Sequence, residues 1–337
     1  PQEAWRALVV EPAPPDDPDD PLADPNVLVV EIAEGPRAGE QLPAFIGLPS
    51  TQTDPHDFAV GEEVVAVITE DFDGSEFVLI SERYRLPVLG LLVLLFALTM
   101  VLVGGWQGLR ALVALGLTVL LVIKLLIPLI LEGAPPVPLA IALALAVTVA
   151  TILLTEGFTR VSAVAIGGTF GGLVITGGLS WLLADPTGFS VASIGELGYL
   201  VFPTGEGVDV QGLLLAAIIL GAVGVLDDVT VTQAATVEEL AAKSRMGVRQ
   251  LWSRALRVGR SHIAATTNTL FLAYVGASLP VIAYIVVVAE PTLLTLNREL
   301  LALEVVRTLV GSIGIVLAMP LTTLLAAFVF GRSQGNA

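Results

Sequence analysis

The chain has 337 residues, of which 55% are hydrophobic and only 14% are charged, and its mean hydropathy is +0.85. Soluble globular proteins are about 45–50% apolar and about 25% charged, so this composition predicts an integral membrane protein. The lack of cysteine excludes disulfides, thiol catalysis and cysteine metal sites, and a net charge of −16 argues against nucleic acid as a partner. The two histidines, His56 and His262, lie far apart, so neither a metal site nor a cofactor is expected.

Residues 1–84 are polar, acidic and interrupted by turn residues. Because the chain begins with Pro1 instead of Met, we expect a signal sequence or a further transmembrane helix to precede it. Five segments are rich in Val and Ile with partial alternation, which predicts the strands WRALVV, NVLVVEIAEG, EQLPAFIGL, GEEVVAVITED and SEFVLISERY. The linking sequence DFDGS has hairpin chemistry. Five strands predict a small extracytoplasmic β-barrel-like domain, either OB-like or SH3-like.

Residues 85–332 have the pattern of a polytopic α-helical membrane domain. A bilayer crossing needs about 20 apolar residues. About seven transmembrane helices are predicted, near 86–103, 108–131, 137–154, 161–183, 211–237, 261–288 and 305–330. Residues 184–210 are predicted to form an outer loop, in which SIGELGYLVFP is a candidate re-entrant segment.

The basic residues predict the orientation of this domain. If the β-rich domain lies outside and the helices alternate, most basic residues beyond that domain fall on the inner side, as the positive-inside rule requires. The protein is therefore expected in the bacterial inner membrane, with its C-terminus in the cytoplasm. Residues 238–260 then form a cytoplasmic amphipathic connector. Four of its arginines are expected to contact anionic lipid: Arg249, Arg254, Arg257 and Arg260.

The fifth predicted helix carries GVLDDVTVTQAATVEEL directly after the apolar run GLLLAAIIL. Asp227 lies about 22 Å along a helix that starts at Gly212, so both aspartates fall in the inner third of a membrane about 30 Å thick. An ionised carboxylate at that depth is costly unless it is paired, protonated or reached by water. Asp227 and Asp228 also repel each other, which favours protonation of one of them. The pair is a candidate carrier of a proton or another ion.

Adjacent residues of a helix project about 100° apart, so the two aspartates occupy different faces. Asp227 shares a face with Thr230 and Ala234, and Asp228 shares the next one with Thr232 and Ala235. Such neighbours cannot easily share one proton in the manner of an aspartic protease dyad, so an intramembrane hydrolase is disfavoured and no enzymatic activity is expected. The alternative for both aspartates is simple hydrogen bonding to neighbouring helices, or a position at the cytoplasmic interface.

Uncharged polar residues near the aspartates are candidates to line an ion or proton pathway, with interhelical hydrogen bonding as the alternative: Thr230, Thr232, Gln233, Thr267 and Asn268. Two basic residues are candidate counter-charges. Lys124 lies inside the second predicted helix, about 24 Å from its start and about 10 Å from its end. Arg307 follows Glu304 by three residues, which predicts either a simple ion pair at the outer boundary or an outer gate.

The fourth predicted helix contains GGTFGGLVITGG. Its overlapping small-xxx-small pairs predict close helix packing, with sliding of one helix bundle against another as the alternative: Gly167, Gly168, Gly171 and Gly172.

Several long segments resemble the YibE/F family of bacterial multispanning membrane proteins. They are GAVGVLDDVTVTQAATVEEL, ATTNTLFLAYVGASLP, EVVRTLVGSIGIVLAMPLTT and LVGGWQGLRALVALGLTVLLVIKLLIPLILEG. The resemblance extends over nearly the whole chain from about residue 27 and implies one more helix before the β-rich domain. It names a family but implies no established biochemical activity.

A second resemblance concerns GVLDDVTVTQ, the basic connector and the later TTNTL, which look like the transport core of resistance–nodulation–division and SecD/SecF proteins. This resemblance implies that Asp227 and Asp228 relay protons. The function expected is a proton- or ion-coupled transporter of a small molecule or ion. A non-transporting scaffold whose outer β-domain binds an envelope protein or polymer is the alternative, and the substrate and a homo-oligomeric state are left open.

Overall fold

The computed structural model describes residues 3–12, 27–46, 58–70, 76–188, 209–243, 246–288 and 291–331. The predicted DFDGS turn and the candidate re-entrant segment SIGELGYLVFP lie outside the described residues. The chain divides into two compact units, Pro1–Thr99 and Met100–Ala337.

The first unit contains a closed five-stranded barrel. Its strands are β1 Glu3–Pro12, β2 Val27–Ile32, β3 Gln41–Ile46, β4 Glu63–Glu70 and β5 Glu76–Arg83. Around the barrel the order is β1-β2-β3-β5-β4, and every pair is antiparallel except β3 with β5, which is parallel. The five predicted strands are confirmed. A five-stranded Greek-key barrel corresponds to the OB-like architecture of the two that were predicted.

The barrel has an apolar core of its own. Successive side chains of a strand point to opposite faces, so alternate residues fill the interior. Val9, Val30 and Val64 are completely buried there, and Ile32 and Ile80 are 1% exposed. The alternation of Val and Ile in the sequence is therefore the pattern of a strand with one buried face.

The second unit is helical, and the first helix begins shortly before it. In chain order the helices are α1 Leu86–Leu121, a π-helical turn Val122–Leu126, α2 Ile127–Leu131, α3 Pro136–Glu156, α4 Arg160–Thr187, α5 Val210–Lys243, α6 Val248–Ala277, α7 Leu279–Val288, α8 Thr292–Leu296 and α9 Glu299–Phe330. Helix α1 is interrupted at Gly105, where φ is 55° and ψ is −135°. A Cβ at Gly108 would collide with the carbonyl of Met100, so the chain turns tightly at this point.

Five helices in the described part of the chain are long and apolar enough to cross a membrane, by length and composition: Leu86–Leu131, Pro136–Glu156, Arg160–Leu183, Gln211–Lys243 and Leu301–Phe330. The predicted number of about seven is therefore not confirmed. The first of the five includes two predicted spans, 86–103 and 108–131, on either side of Gly105. The predicted span 261–288 is absent from the five because α6 joins its first half to the arginine-rich connector, and Ser278 separates α6 from α7.

Helices α4, α5 and α9 pack against one another, and α3 and α6 pack against this group. Leu173 of α4, Leu226 of α5 and Ile315 of α9 are completely buried where the three helices meet. Tight connections set the directions of these helices. Gly157, which has a φ of 76°, caps the C-terminal end of α3, and α4 begins at Arg160.

Candidate functional site

Helix α5 positions both aspartates. The Asp209 carboxylate accepts a hydrogen bond from the backbone N–H of Gly212 at 2.8 Å, which satisfies a free donor at the start of this helix. Asp227 then lies near the middle of α5, about 25 Å from each end at helical rise. Asp227 directly follows the apolar part of α5, so its carboxylate is far from both helix ends.

Asp227 faces the interior of the helix group. Its Oδ1 accepts a hydrogen bond at 3.0 Å from the hydroxyl of Thr148 on α3, and the Thr169 hydroxyl of α4 also contacts this carboxylate. The hydroxyls of Thr169 and Thr230 are 2.7 Å apart, and Thr230 donates to the backbone carbonyl of Asp227 at 3.2 Å. All three threonines are completely buried. Within the described residues, Asp227 has no ion-pair partner.

Asp228 points to a different environment, an exposed groove between α5 and α6. The groove has a volume of about 440 Å³ and is lined by Gly224, Val225, Asp228, His262, Ala265, Thr266, Thr269, Leu270 and Ala273. The Nε2 atom of His262 is buried and has no hydrogen-bond partner in the part of the chain that the structure describes. The two aspartates therefore form two separate sites on neighbouring faces of one helix turn.

Gln233 and Thr232, further along α5, also have different surroundings although they are adjacent in the chain. Gln233 is buried and donates hydrogen bonds to the Thr323 hydroxyl of α9 at 2.8 Å and to the Ala255 carbonyl of α6 at 3.3 Å. Thr323 in turn donates to the carbonyl of Met319 at 2.7 Å. Thr232 is exposed. Gln233 thus joins three helices, while its neighbour faces outward.

Some polar residues of α6 line the groove beside Asp228, and others do not. Thr266 and Thr269 line the groove beside Asp228. Thr267 is half-buried, and its hydroxyl has no hydrogen-bond partner among the described residues. Asn268 is exposed. The predicted pathway residues Thr267 and Asn268 are therefore adjacent to the groove residues in sequence but are not among those that line it.

The two candidate counter-charges lie away from the aspartates. Lys124 is exposed on the π-helical turn and has no ion-pair partner within the described residues. Arg307 forms the predicted pair with Glu304 at 2.7 Å. Glu304 also lines a cavity of about 290 Å³ between α6 and α9, together with Tyr274. The ion pair is present in the structure, and a gating role for it stays a prediction.

The glycines of α4 hold this helix close to its neighbours. A Cβ at Gly168 would overlap the Thr322 hydroxyl of α9, and one at Gly172 would overlap Leu226 and Ala318. All four predicted packing glycines lie against α9: Gly167, Gly168, Gly171 and Gly172. Their absence of side chains lets α4 and α9 approach each other closely.

Thr148, Thr169 and His262 are site residues that the sequence analysis did not identify. Thr169 stands inside the glycine motif, where packing alone explained the pattern. Thr148 stands in a mostly apolar helix, and a polar residue in such a helix is a signal of an internal contact. The packing of α3 and α4 against α5 determines which side of each of these two helices meets Asp227.

A barrel domain followed by long apolar helices with polar residues at their contacts defines a helical membrane protein. The YibE/F-like protein family matches residues 92–332. The chain belongs to the YibE/F family, and the predicted family resemblance is confirmed. The matched range begins after the barrel, whereas the resemblance seen in the sequence extends to about residue 27. Comparisons with the curated proteins and with the solved structures gave no match.

Proposed function

We propose that this membrane protein is a proton- or ion-coupled transporter in which Asp227 and Asp228 carry the coupling ion. The observation that supports this proposal is the environment of Asp227. Its carboxylate lies in the middle of an apolar helix, contacts threonine hydroxyls of two other helices, and has no basic partner among the described residues. Asp227 itself is half-buried. A half-buried carboxylate without a basic partner in such surroundings is stabilised by a proton or a cation that neutralises its charge.

The two aspartates have different tasks in this mechanism. Asp227 holds the coupling ion inside the helix group, and Asp228 exchanges it with the groove that contains His262. The predicted pathway residues act around them: Thr230, Thr232, Gln233, Thr267 and Asn268. The resemblance of GVLDDVTVTQ to resistance–nodulation–division and SecD/SecF cores supports the same assignment. Two basic residues serve as counter-charges while the coupling ion moves. They are Arg307, which forms an ion pair with Glu304, and Lys124.

Charge movement in reconstituted protein tests this function without knowledge of the substrate. Proteoliposomes containing the full chain are placed on a solid-supported membrane, and the charge displaced by a rapid pH jump or sodium jump is recorded. We expect a transient current in the wild type and its loss in Asp227→Asn. Glu238→Gln is the matched control, because this exposed acid lies on the same helix. Wild-type currents in both Asp227→Asn and Asp228→Asn would refute the proposal.

The orientation belongs to the same proposal: a bacterial inner membrane, the barrel outside and the C-terminus in the cytoplasm. The chain has no cysteine, so single cysteines report on orientation without background labelling. In spheroplasts, a membrane-impermeant maleimide should label Glu40→Cys in the barrel and should label Gln250→Cys only after permeabilisation. The reverse pattern would overturn this orientation.

A scaffold function is the second candidate, and the self-contained core of the barrel favours it. In that case the barrel binds an envelope protein or polymer, and the aspartates serve assembly alone. The current measurement separates the two functions, because a scaffold gives no current in the wild type at either jump.

A further inference from the structure

The surroundings of Asp227 supply more oxygen atoms than a proton requires. The hydroxyls of Thr148 and Thr169 contact the carboxylate. The Thr230 hydroxyl contacts Thr169 and donates to the backbone carbonyl of Asp227, which adds two further oxygen atoms. These groups come from three helices, α3, α4 and α5. A proton needs one acceptor, whereas hard cations bind several oxygen ligands at once. A hydroxyl can accept a cation on its lone pairs while it donates its own hydrogen elsewhere.

The charge of the cluster matches a monovalent cation. Asp227 contributes one negative charge, and the threonines contribute none. One monovalent ion therefore neutralises the cluster, while a divalent ion would leave a buried positive charge without a partner. In addition, the described residues contain no group of three or more His, Cys, Asp or Glu side chains that could hold a metal ion. This disfavours the transition metals and calcium, which use such groups.

A line of hydroxyls leads away from the cluster along α4. Thr176 and Ser180 follow Thr169 by seven and eleven residues, which places them on the same helix face about 10 Å and about 16 Å further on. Both are completely buried, and both hydroxyls have no hydrogen-bond partner within the described residues. Buried hydroxyls without a partner are rare, and a path for an ion or its water supplies the missing contacts.

We propose that Asp227, Thr148, Thr169 and Thr230 form a binding site for sodium, and that Thr176 and Ser180 line its access route. This inference rests on the proposed transport function and names its coupling ion. Sodium occupies the position that a proton would take in the alternative form of the mechanism.

Thermal unfolding of the purified full chain in detergent tests the site. The melting temperature is measured in sodium, potassium and choline chloride at equal ionic strength, over a range of sodium concentrations. We expect a saturable increase that only sodium produces. Asp227→Asn should remove it, and Thr148→Val or Thr169→Val should lower the apparent sodium affinity at least tenfold. Thr148→Ser retains the hydroxyl and should retain most of the affinity.

Thr155→Val is the matched control, because this threonine lies on the same helix as Thr148 and bonds only to backbone carbonyls. Its sodium response should equal that of the wild type. Equal melting temperatures in the three salts would overturn the sodium inference. If Asp227→Asn still abolishes the current after a pH jump, the proposed transporter function stands with a proton as its ion. If neither jump gives a current that depends on Asp227 or Asp228, the transporter function itself fails.

Discussion

Asp227 and Asp228 are neighbours in the chain but lie in different surroundings. Asp227 contacts buried threonines of α3 and α4, whereas Asp228 lines an exposed groove beside His262. The cause is the helix itself, since adjacent side chains project about 100° apart. The comparison shows that the acidic pair is one motif in sequence and two sites in space. Each carboxylate therefore has its own role in the proposed transport.

The same two sides are visible along α4 and α5. Gly168 and Gln233 face the packed interior, while Gly178 and Thr232 face away from it. On the interior side, Thr169 of α4 and Gln233 of α5 form hydrogen bonds to other helices. The contrast between matched residues on the two sides offers direct tests of the packing.

Substituting two glycines of one helix should give opposite results. Gly168→Ala places a methyl group on Thr322, a β-branched residue that cannot easily move aside, and should destabilise the protein by about 3 kcal/mol through overpacking. Gly178 has no atom of a neighbour within 4 Å of an added Cβ, so Gly178→Ala should be neutral or stabilising by up to about 1 kcal/mol. Unfolding in detergent measures both. Equal losses would contradict the close packing of α4 on α9.

Removal of the Gln233 amide should cost more than removal of the neighbouring hydroxyl. Gln233→Ala loses the hydrogen bonds to α6 and α9 and leaves a cavity, so we expect a loss of about 2 kcal/mol. Thr232→Ala changes an exposed side chain and should stay within about 0.5 kcal/mol of the wild type. Unfolding in detergent also measures these two changes. A larger loss of stability for Thr232→Ala than for Gln233→Ala would mean that Thr232, and not Gln233, faces the packed interior.

Cysteine accessibility should separate the two aspartate positions. The chain has no cysteine, so Asp227→Cys and Asp228→Cys each introduce the sole thiol. A water-soluble methanethiosulfonate reagent should modify the thiol at Asp228 at least about tenfold faster, because reaction requires an accessible thiolate. Reaction rates are measured on the folded protein and compared with those after unfolding. Similar rates in the folded protein would mean that water reaches both positions equally.

The arginines of α6 should give the smallest effect. Arg249, Arg254, Arg257 and Arg260 are exposed and have no ion-pair partner within the described residues. We expect each Arg→Gln change to reduce the preference for anionic over zwitterionic lipid by about 1 kcal/mol. The melting temperature in nanodiscs of the two lipid types measures this preference. Gln250→Ala on the same exposed surface is the uncharged control and should leave the difference unchanged.

Local pattern was enough to predict much of the fold. The alternation of Val and Ile predicted five strands, because a strand with one buried face has a period of two. The glycine spacing predicted the close packing of α4, and the helical periodicity placed Asp227 and Thr230 on one face and Asp228 and Thr232 on another. Length and apolar composition predicted membrane-type helices. Their predicted number of about seven is not confirmed, because two predicted spans fall in Leu86–Leu131 and α6 joins the arginine-rich connector to the first half of a third.

The sequence by itself determined the class of protein, its family, the barrel strands and the depth of the acidic pair along its helix. These follow from composition and from periodicities that depend on nearby residues. Only the tertiary structure decided that Thr148 and Thr169 meet Asp227, because they lie 79 and 58 positions away in the chain and on other helices. A periodicity gives the direction in which a side chain points, but helix packing determines which neighbour it meets.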